Sequence, residues 1–312
     1  MKSKKMKVVV FGGSGFLGSH VADILTEKGY EVVIYDIEES KYLKLNQKMI
    51  IGDILDYEKI LKTLKDVSVV YHFAGIADIN EAQLNPIETV KQNILGTTYI
   101  LEACREQKVK RVMFASTVYV YSELGGFYRS SKQACELIIE NYQHTYGLDY
   151  TILRYGSLYG RRANEFNFIN QVIKEALLEK KIHRKGDGSE IRSYINVRDA
   201  AMASVELISD DYKNKYIIIN GTQSYHVKDI LNMIREILSK EIEIEYLDEK
   251  NEFHYEITPY SFRPRVATKY VLKNYHDLGQ GILDCIYDVY KQLSKSQDKD
   301  ILDIELPESI EY

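Results

Sequence analysis

The chain has 312 residues, 45% of them hydrophobic, and its formal net charge is −5. That length allows a large core and two lobes, and the acidic balance excludes the broad basic surface that nucleic acids or anionic membranes attract. Three scattered cysteines form no disulfide framework, which suits a reducing compartment. Because no apolar stretch is as long as a membrane span, we expect a cytoplasmic protein with neither membrane nor nucleic-acid partners.

Strand and helix patterns alternate over the first half of the chain. Apolar and β-branched runs predict strands at residues 7–11, 31–36, 49–56, 67–75, 110–116 and 149–156. Helical patterns lie between these runs, and the two longest cover residues 87–107 and 128–146. Such alternation is typical of βαβ units, so it predicts an α/β fold with a doubly wound parallel sheet of the Rossmann kind.

The alternation weakens after Gly156. Residues 164–181 have a helical pattern, 186–201 indicate a loop, a strand and the start of a helix, and 216–220 indicate a short strand. We therefore expect a dinucleotide-binding domain over residues 1–156 plus about 195–221. A smaller mixed α/β domain that binds substrate would take residues about 157–194 and 222–312.

Three glycines lie between the first predicted strand and the helix that follows it. Gly12, Gly15 and Gly18 have the spacing G-x-x-G-x-x-G within VVVFGGSGFLGSHVADIL. The first glycine permits a tight turn, the second lets the backbone approach a pyrophosphate, and the third lets the helix pack closely on the strand. A glycine triplet alone is a weak signal, but its place between a strand and a helix predicts a dinucleotide site.

An acidic residue ends the second predicted strand. The carboxylate of Asp36 at this point would accept hydrogen bonds from the ribose 2′-hydroxyl of a dinucleotide and repel a 2′-phosphate. The sequence therefore predicts NAD rather than NADP. An ordinary aspartate at the start of a loop is the alternative explanation.

Several further motifs accompany these residues, among them GDILD, HFAGIAD, NILGT, FASTVYVYS and YRSSK. Together with the glycines they resemble the extended short-chain dehydrogenases/reductases of the NAD-dependent epimerase/dehydratase type, and the resemblance runs from about residue 7 to 270. It implies these cofactor-binding residues: Gly12, Gly15, Phe16, Leu17, Gly18, Asp36, Asp53, Ile54, Phe73, Ala74, Gly75, Asn93, Ser116 and Tyr155.

The Y-x-x-x-K motif places Tyr128 and Lys132 on one face of a helix. A free tyrosine has a pKa near 10, and a neighbouring ammonium together with a positive nicotinamide would lower that pKa towards neutrality. We expect Tyr128 to act as the base, Lys132 to hold the nicotinamide ribose, and Thr117 to orient the substrate hydroxyl. Such a pair alone also occurs by chance on exposed helices, so this interpretation depends on the other motifs.

The second half of the chain resembles the part of the family that binds nucleotide diphosphate sugars. In LRYGSLYGRR the resemblance implies a substrate contact at Ser157, where relatives have Asn. It also implies that Arg192 and Arg263 bind the diphosphate, since guanidinium groups suit bidentate contacts with phosphate. Only ten residues separate Thr117 from Tyr128, fewer than is usual in the family, which predicts an altered sugar pocket.

Three functions are compatible with these residues. Val118 and Tyr119 stand where the dehydratases have Asp-Glu, so we favour oxidation at C4 of the sugar followed by its reversal, as in a 4-epimerase serving surface-polysaccharide biosynthesis. A 4-dehydrogenase that releases the 4-keto sugar, with a GDP-heptose as one substrate, is the alternative. A non-catalytic dinucleotide sensor is the third, and the retained tyrosine, lysine and threonine argue against it.

The resemblance also implies a homodimer or a higher homo-oligomer, formed through the two long helices. No histidine or carboxylate set has the spacing of metal ligands, so we predict no metal.

Overall fold

The computed structural model describes residues 5–239, 241–248 and 267–294. Within these residues the strands are β1 (Lys7–Phe11), β2 (Glu31–Asp36), β3 (Gln47–Ile51), β4 (Val69–His72), β5 (Arg111–Thr117), β6 (Asp149–Tyr155), β7 (Ser157–Tyr159), β8 (Lys181–Lys185), β9 (Ile191–Arg192), β10 (Tyr194–Asn196), β11 (Lys215–Ile219), β12 (Tyr225–His226), β13 (Glu243–Leu247) and β14 (Thr268–Tyr270).

The helices of the same residues are α1 (Phe16–Glu27), α2 (Tyr57–Thr63), α3 (Ile79–Leu84), α4 (Pro86–Thr89), α5 (Gly96–Glu106), α6 (Gly126–Tyr146), α7 (Phe168–Glu179), α8 (Val197–Glu206), α9 (Val227–Leu238) and α10 (Leu278–Ser294). A π-helical segment, Val90–Leu95, joins α4 to α5, and 3₁₀ turns form at Val118–Tyr121 and Asp210–Tyr212.

Eight strands form one parallel sheet in the order β14-β11-β6-β5-β4-β1-β2-β3. The order reverses between β1 and β4, which both pair with their neighbours in parallel register. In such a sheet, ligands bind where the strand order reverses, at the carboxyl ends of the strands. The sheet and its flanking helices confirm the predicted α/β fold with a doubly wound parallel sheet.

The strands are nearly continuous apolar runs because helices cover both faces of the sheet. The side chains of β1 from Val8 to Phe11 are fully buried, and one large core cluster joins the sheet to α2, α5 and α6. The helix α6 ends at Gly147, which has a left-handed conformation with φ +71° and donates its N–H to the carbonyl of Gln143 at 2.8 Å.

The described residues divide into two compact units. The first unit contains the described residues of Met1–Tyr155, Ala200–Ile219 and Pro259–Val271. The second contains those of Gly156–Asp199, Asn220–Thr258 and Leu272–Tyr312, and its own core is formed by α7, α9 and α10.

Some boundaries differ from the predictions. We predicted a strand over residues 49–56, but β3 covers Gln47–Ile51, because the chain then turns, with the Asp56 amide donating to the Asp53 carbonyl at 3.0 Å, and α2 begins after Asp56. The predicted second domain contained all of residues 222–312, whereas β14 pairs in parallel with β11 and extends the sheet of the first unit.

No helix among the described residues is both long enough and apolar enough to cross a bilayer.

Candidate active site

The residues that the sequence assigns to the cofactor lie at the carboxyl ends of neighbouring strands. The glycine loop follows β1, Phe73–Gly75 follows β4, and Thr117 is the last residue of β5. Because β1, β4 and β5 are adjacent and parallel, these ends lie along one edge of the sheet. The topology of the first unit therefore brings them together.

Close packing fixes the glycine loop. Gly12 has φ +76°, and a β-carbon added there would lie 2.6 Å from the amide nitrogen of Ala74. A β-carbon on Gly18 would lie 2.1 Å from the carbonyl oxygen of Gly12. Both contacts are shorter than a side chain tolerates, so the turn and the tight seating of α1 depend on these glycines.

The amino terminus of α1 fits a pyrophosphate. Its N-cap residue is Gly15, and no side chain caps the helix. A β-carbon on Gly15 would meet only the carbonyl oxygen of Gly12, at 3.3 Å, so this position is more open than its two neighbours in the motif. The amides of Phe16 and Leu17 open the helix, where backbone N–H groups and the helix dipole attract phosphate oxygens.

The carboxylate of Asp36 ends β2 beside the glycine loop. It accepts hydrogen bonds from the Ser14 amide at 2.9 Å and the Glu38 amide at 3.3 Å. These bonds fix its orientation, and a carboxylate has lone pairs left for further donors such as ribose hydroxyls. The position fits the selection of NAD by Asp36.

Two further cofactor candidates follow β3. Asp53 is exposed, and its carboxylate accepts a hydrogen bond from the Leu55 amide at 2.9 Å. Ile54 is buried against Gly96, whose added β-carbon would lie 2.6 Å from the Ile54 side chain. Asp53 therefore presents polar groups at the surface, while Ile54 packs in the core.

Asn93 fixes the loop after β4. Its side-chain amide accepts from the Ile76 N–H at 2.8 Å, donates to the Ile76 carbonyl at 3.0 Å and donates to the Ser131 hydroxyl at 2.9 Å. A β-carbon on Gly75 would lie 2.5 Å from the Asn93 side chain. Asn93 therefore joins the Phe73–Gly75 loop to α6.

Tyr128, Thr117 and Lys132 lie together at the end of β5. The hydroxyl of Thr117 is hydrogen-bonded to the Tyr128 phenol. The ammonium of Lys132 donates to the Ala115 carbonyl at 3.0 Å and lies 5.9 Å from the centre of the Tyr128 ring. The three residues that the sequence assigns to the chemistry are thus brought into one group.

The electrostatics of this group in the protein alone differ from the prediction. Burial raises the pKa of Tyr128 to about 12, and the Thr117 hydrogen bond opposes that rise. Burial also lowers the pKa of Lys132. Desolvation therefore outweighs the Thr117 hydrogen bond, and the expected lowering of the Tyr128 pKa requires the positive charge of an oxidised nicotinamide.

The side chains of Ser116 and Tyr155 are engaged inside the protein. The Ser116 hydroxyl donates to the Glu136 carboxylate at 2.6 Å, and the hydroxyls of Tyr155 and Ser204 are 2.6 Å apart. All four residues are buried. Any contact of Ser116 or Tyr155 with a cofactor would therefore involve their backbones.

Glu136 and Arg154 belong to this group, although the sequence did not single them out. Arg154 donates to the Glu136 carboxylate from Nε at 2.9 Å and from Nη2 at 2.6 Å, and both side chains are buried. Glu136 lies one helical turn after Lys132, a spacing that could have indicated it in the sequence.

The short segment between Thr117 and Tyr128 is held at several points. A 3₁₀ turn begins directly after Thr117, and Gly125 has φ +97° against the ring of Tyr119. The Arg129 guanidinium donates to the Ser122 carbonyl at 2.7 Å. The shorter connection therefore forms an ordered turn.

Two of the remaining substrate candidates, Ser157 and Arg192, belong to the second unit. Ser157 begins β7 and pairs in register with Tyr194 of β10. Arg192 is buried on β9, and its guanidinium donates to the Ile191 carbonyl at 3.1 Å. Arg263, the third predicted substrate residue, lies outside the described residues.

One group in the described part of the chain has side chains that metals commonly use. Ligand atoms of Glu175, Glu179 and His183 lie within 4.8 Å of one another on the second unit. His183 is hydrogen-bonded to Glu175 and lies 3.4 Å from Glu245, so these charges offset one another. The absence of a metal stays a prediction.

Known proteins resemble this chain over most of its length. The sequence profile of the NAD dependent epimerase/dehydratase family matches residues 8–220. A Methanocaldococcus jannaschii protein provisionally assigned as a UDP-glucose 4-epimerase is 32% identical over 73% of this chain and 81% of its own.

Two solved structures have the same fold. The UDP-N-acetylglucosamine 4-epimerase from Methanobrevibacter ruminantium M1, in complex with UDP-N-acetylmuramic acid, gives a TM-score of 0.83 at 25% identity and covers 93% of this chain and 99% of its own. The UDP-glucuronic acid 4-epimerase from Bacillus cereus, in complex with UDP-glucuronic acid and NAD, gives a TM-score of 0.81 at 25% identity. The match covers 92% of this chain and 100% of its own.

The profile match covers more than half of the chain and contains the glycine loop, Asp36, Thr117, Tyr128 and Lys132. It confirms the family that the motifs predicted, the enzyme class and NAD as the cofactor. The chain is an enzyme that belongs to the NAD-dependent epimerase/dehydratase family.

Proposed function

We propose that this enzyme is a nucleotide-sugar 4-epimerase. The observation that carries the proposal is the Thr117–Tyr128–Lys132 group at the sheet edge that also holds the glycine loop and Asp36. A phenol hydrogen-bonded to a hydroxyl beside a buried ammonium suits proton abstraction from a sugar alcohol. NAD bound at this edge would take up a hydride from the same carbon and return it.

The side chains divide the proton chemistry among them. Tyr128 removes the proton from the C4 hydroxyl and gives it back when the ketone is reduced. When the sugar binds, the Thr117 hydroxyl turns from Tyr128 to the sugar oxygen and donates its one hydrogen bond there, whether that oxygen is a hydroxyl or a carbonyl. Lys132 supplies a fixed positive charge that favours the phenolate.

The residues after Thr117 favour epimerisation over dehydration. Val118 and Tyr119 carry no carboxylate, and water elimination requires an acid–base pair. The two solved structures described above are both named as 4-epimerases, which supports the same reaction here. A 4-dehydrogenase that releases the keto sugar would use the same first step, and the short turn after Thr117 is the feature that favours it.

We propose that the second unit binds the nucleotide diphosphate. Arg192 is the candidate for the diphosphate because a guanidinium makes paired hydrogen bonds to phosphate oxygens. Ser157 supplies a hydroxyl where relatives have an amide, so its contact with the substrate is weaker. The named relatives act on UDP-sugars, and we propose a UDP-sugar substrate destined for surface polysaccharides.

We also propose that the enzyme works as a homodimer in the cytoplasm. Large apolar side chains are exposed on α3, α4, the π-helical segment and α6, namely Leu84, Ile87, Val90, Leu95, Phe127 and Leu137. These elements pack on α6, and exposed apolar side chains on neighbouring helices are typical of an interface, which a second copy of the chain can cover with the same face. The cysteines among the described residues are buried free thiols, which fits a reducing compartment.

The experiment is incubation of the NAD-loaded protein with UDP-glucose, UDP-N-acetylglucosamine, UDP-glucuronic acid and a GDP-heptose. A product of unchanged mass with inverted C4, identified by NMR, supports the epimerase. Loss of two hydrogens with accumulation of NADH indicates the dehydrogenase instead. Tight NAD binding without conversion of any sugar contradicts the proposal and favours a sensor.

A further inference from the structure

The end of β5 is attached to α6 by three consecutive residues. The Ala115 carbonyl accepts from the Lys132 ammonium at 3.0 Å, and the Ser116 hydroxyl donates to the Glu136 carboxylate at 2.6 Å. The next residue, Thr117, is hydrogen-bonded to Tyr128. Since the α6 residues are spaced four apart, one helical face carries all of these contacts.

A second strand joins the same carboxylate. Arg154 on β6 is the register partner of Ser116 on β5, and both side chains bind Glu136. The Arg154 guanidinium grips the carboxylate side-on through Nε and Nη2, at 2.9 and 2.6 Å. Glu136 therefore fixes α6 to two adjacent strands at once.

Aromatic rings hold the guanidinium in turn. Arg154 lies 4.7 Å from the ring centre of Tyr121 and 4.5 Å from that of Tyr216, and it also donates to the Tyr121 hydroxyl. Tyr121 closes the 3₁₀ turn that begins after Thr117. The pair therefore also holds the far end of the turn that carries Thr117.

Stability alone is a weak reason for such a pair. The side chains of Arg154 and Glu136 are only 5% and 8% exposed, and removing two charges from water costs several kcal/mol per ion. Replacement of buried ion pairs by apolar residues is often neutral or stabilising. Placement of the groups around it is a role that apolar residues could not fill.

We propose that Glu136, paired with Arg154, is a positioning residue that sets the places of Tyr128 and Lys132 relative to Thr117 at the end of β5. This inference rests on the proposed role of Tyr128 as the base. Burial lowers the pKa of Lys132, and Cys135 and Glu136 oppose that fall. On β4, burial and the charge of Lys132 lower the pKa of His72 to about 3, so His72 is neutral and adds no charge beside Lys132.

The test uses the NAD-loaded protein and the double variant Glu136→Gln with Arg154→Met, which removes both charges together. The phenol of Tyr128 is titrated by ¹³C-tyrosine NMR, with its signal assigned by its loss in Tyr128→Phe. Because this measurement needs no substrate, it separates the inference from the proposed function. We expect the titration to move to higher pH by about one unit, since a displaced Tyr128 loses the Thr117 hydrogen bond that lowers its pKa. The kcat should fall about tenfold, with KM nearly unchanged.

The matched control is Arg111→Met, at the opposite end of β5. Arg111 is also buried, and its guanidinium binds the Ile208 and Ser209 carbonyls at 3.0 and 2.8 Å. The variant Arg111→Met should lower the melting temperature and leave both the Tyr128 titration and kcat unchanged. A folded double variant with the wild-type Tyr128 titration and kcat would overturn the inference.

If the double variant does not fold, Arg154→Lys tests the positioning role instead. Lysine keeps the charge but loses the side-on grip of the carboxylate. A lower kcat at an unchanged melting temperature supports a positioning role, and an unchanged kcat overturns it.

The wild-type protein tests the proposed function separately. If the pKa of Tyr128 stays high when NAD is bound, Tyr128 is not the base, and the proposed function is contradicted whatever the variants show.

Discussion

Tyr128 is the residue on which the proposed reaction depends. In the protein without cofactor, its surroundings favour the neutral phenol over the phenolate that the reaction needs. Burial raises the pKa of its phenol to about 12, whereas a base at neutral pH needs a much lower value. The Thr117 hydroxyl is the one group whose hydrogen bond lowers that pKa. We therefore propose that Tyr128 acts as a base only when the positive charge of oxidised nicotinamide adds to the charge of Lys132.

The substitution Thr117→Ala tests this balance at a single hydroxyl. Loss of its hydrogen bond should raise the pKa of Tyr128, so the acid limb of the kcat/KM profile moves to higher pH. The kcat should fall about a hundredfold, because a donor to the developing oxyanion is also lost. Thr117→Ser keeps the hydroxyl and should retain most of the activity. A pH profile that does not differ between Thr117→Ala and wild type would show that Thr117 plays no such part.

Most of the functional residues were predictable from the sequence because local motifs carry them. The glycine spacing, Asp36 and the Tyr128–Lys132 pair are each read within a few residues of one element. Glu136 and Arg154 were missed because their roles arise from a contact between α6 and β6 that no local pattern encodes. The raised pKa of Tyr128 in the protein alone was not predicted, because burial is a property of the folded chain.

At the scale of elements, the seating of α1 decides whether the glycine loop can form. Gly18→Ala would place a β-carbon 2.1 Å from the carbonyl oxygen of Gly12, so the helix must shift away from the turn. We expect the substitution to destabilise the protein by about 1–3 kcal/mol and to weaken NAD binding at least tenfold. Thermal unfolding and NAD titration measure the two effects.

Gly29→Ala, at the other end of the same helix, is the control for that substitution. Gly29 has φ +88° but nothing within 4 Å of an added β-carbon. Gly29→Ala should lower the free energy of unfolding by about 1 kcal/mol through backbone strain and leave the NAD affinity unchanged. Equal NAD affinities for Gly18→Ala and Gly29→Ala would contradict the role of the glycine loop.

Within the second unit, His276 joins the segment before α10 to Asp199. The Nδ1 atom of His276 lies 2.6 Å from the Asp199 carboxylate, and this hydrogen bond raises the pKa of His276. A raised pKa in the folded state means that the pair stabilises the fold fully below the ordinary histidine pKa of about 6.5. That contribution is lost as the pH rises through the folded-state pKa of His276.

The variant His276→Gln should therefore melt below wild type at pH 6, and the difference should shrink as the pH is raised. Asp199→Asn removes the same charge pair and should give the same pH dependence of the difference. A difference in melting temperature that stays constant across the pH range would contradict the account of His276.

Sequence patterns located the strands better than they predicted where the strands end. The six parallel strands of the first half were each located, because buried strands read as apolar runs. The prediction extended β3 to residue 56 because Ile54 and Leu55 continue the apolar pattern, whereas the chain turns there and the Asp56 amide donates to the Asp53 carbonyl at 3.0 Å. The strand β14 was assigned to the wrong domain, because its pairing with β11 depends on a contact made far along the chain.

For the whole molecule, the exposed apolar face of α6 and its neighbouring helices carries the prediction of a dimer. Leu137 is 54% exposed on this face. The substitution Leu137→Arg would place a charge in the interface, so it should yield monomers in sedimentation experiments without lowering the melting temperature of the isolated chain. The matched control is Leu45→Arg, because Leu45 is exposed but lies outside this face. This substitution should leave the dimer intact. A wild-type protein that is monomeric at all concentrations tested would contradict the dimer.

The most direct test of the central claim is the turnover of Tyr128→Phe with NAD bound. The substitution removes only the phenol oxygen, so the cofactor should remain bound at wild-type stoichiometry. Interconversion of the C4 epimers of the accepted nucleotide sugar, followed by NMR, should fall at least about a hundredfold. Turnover at the wild-type rate would contradict the account, because the proton would then be taken by another group.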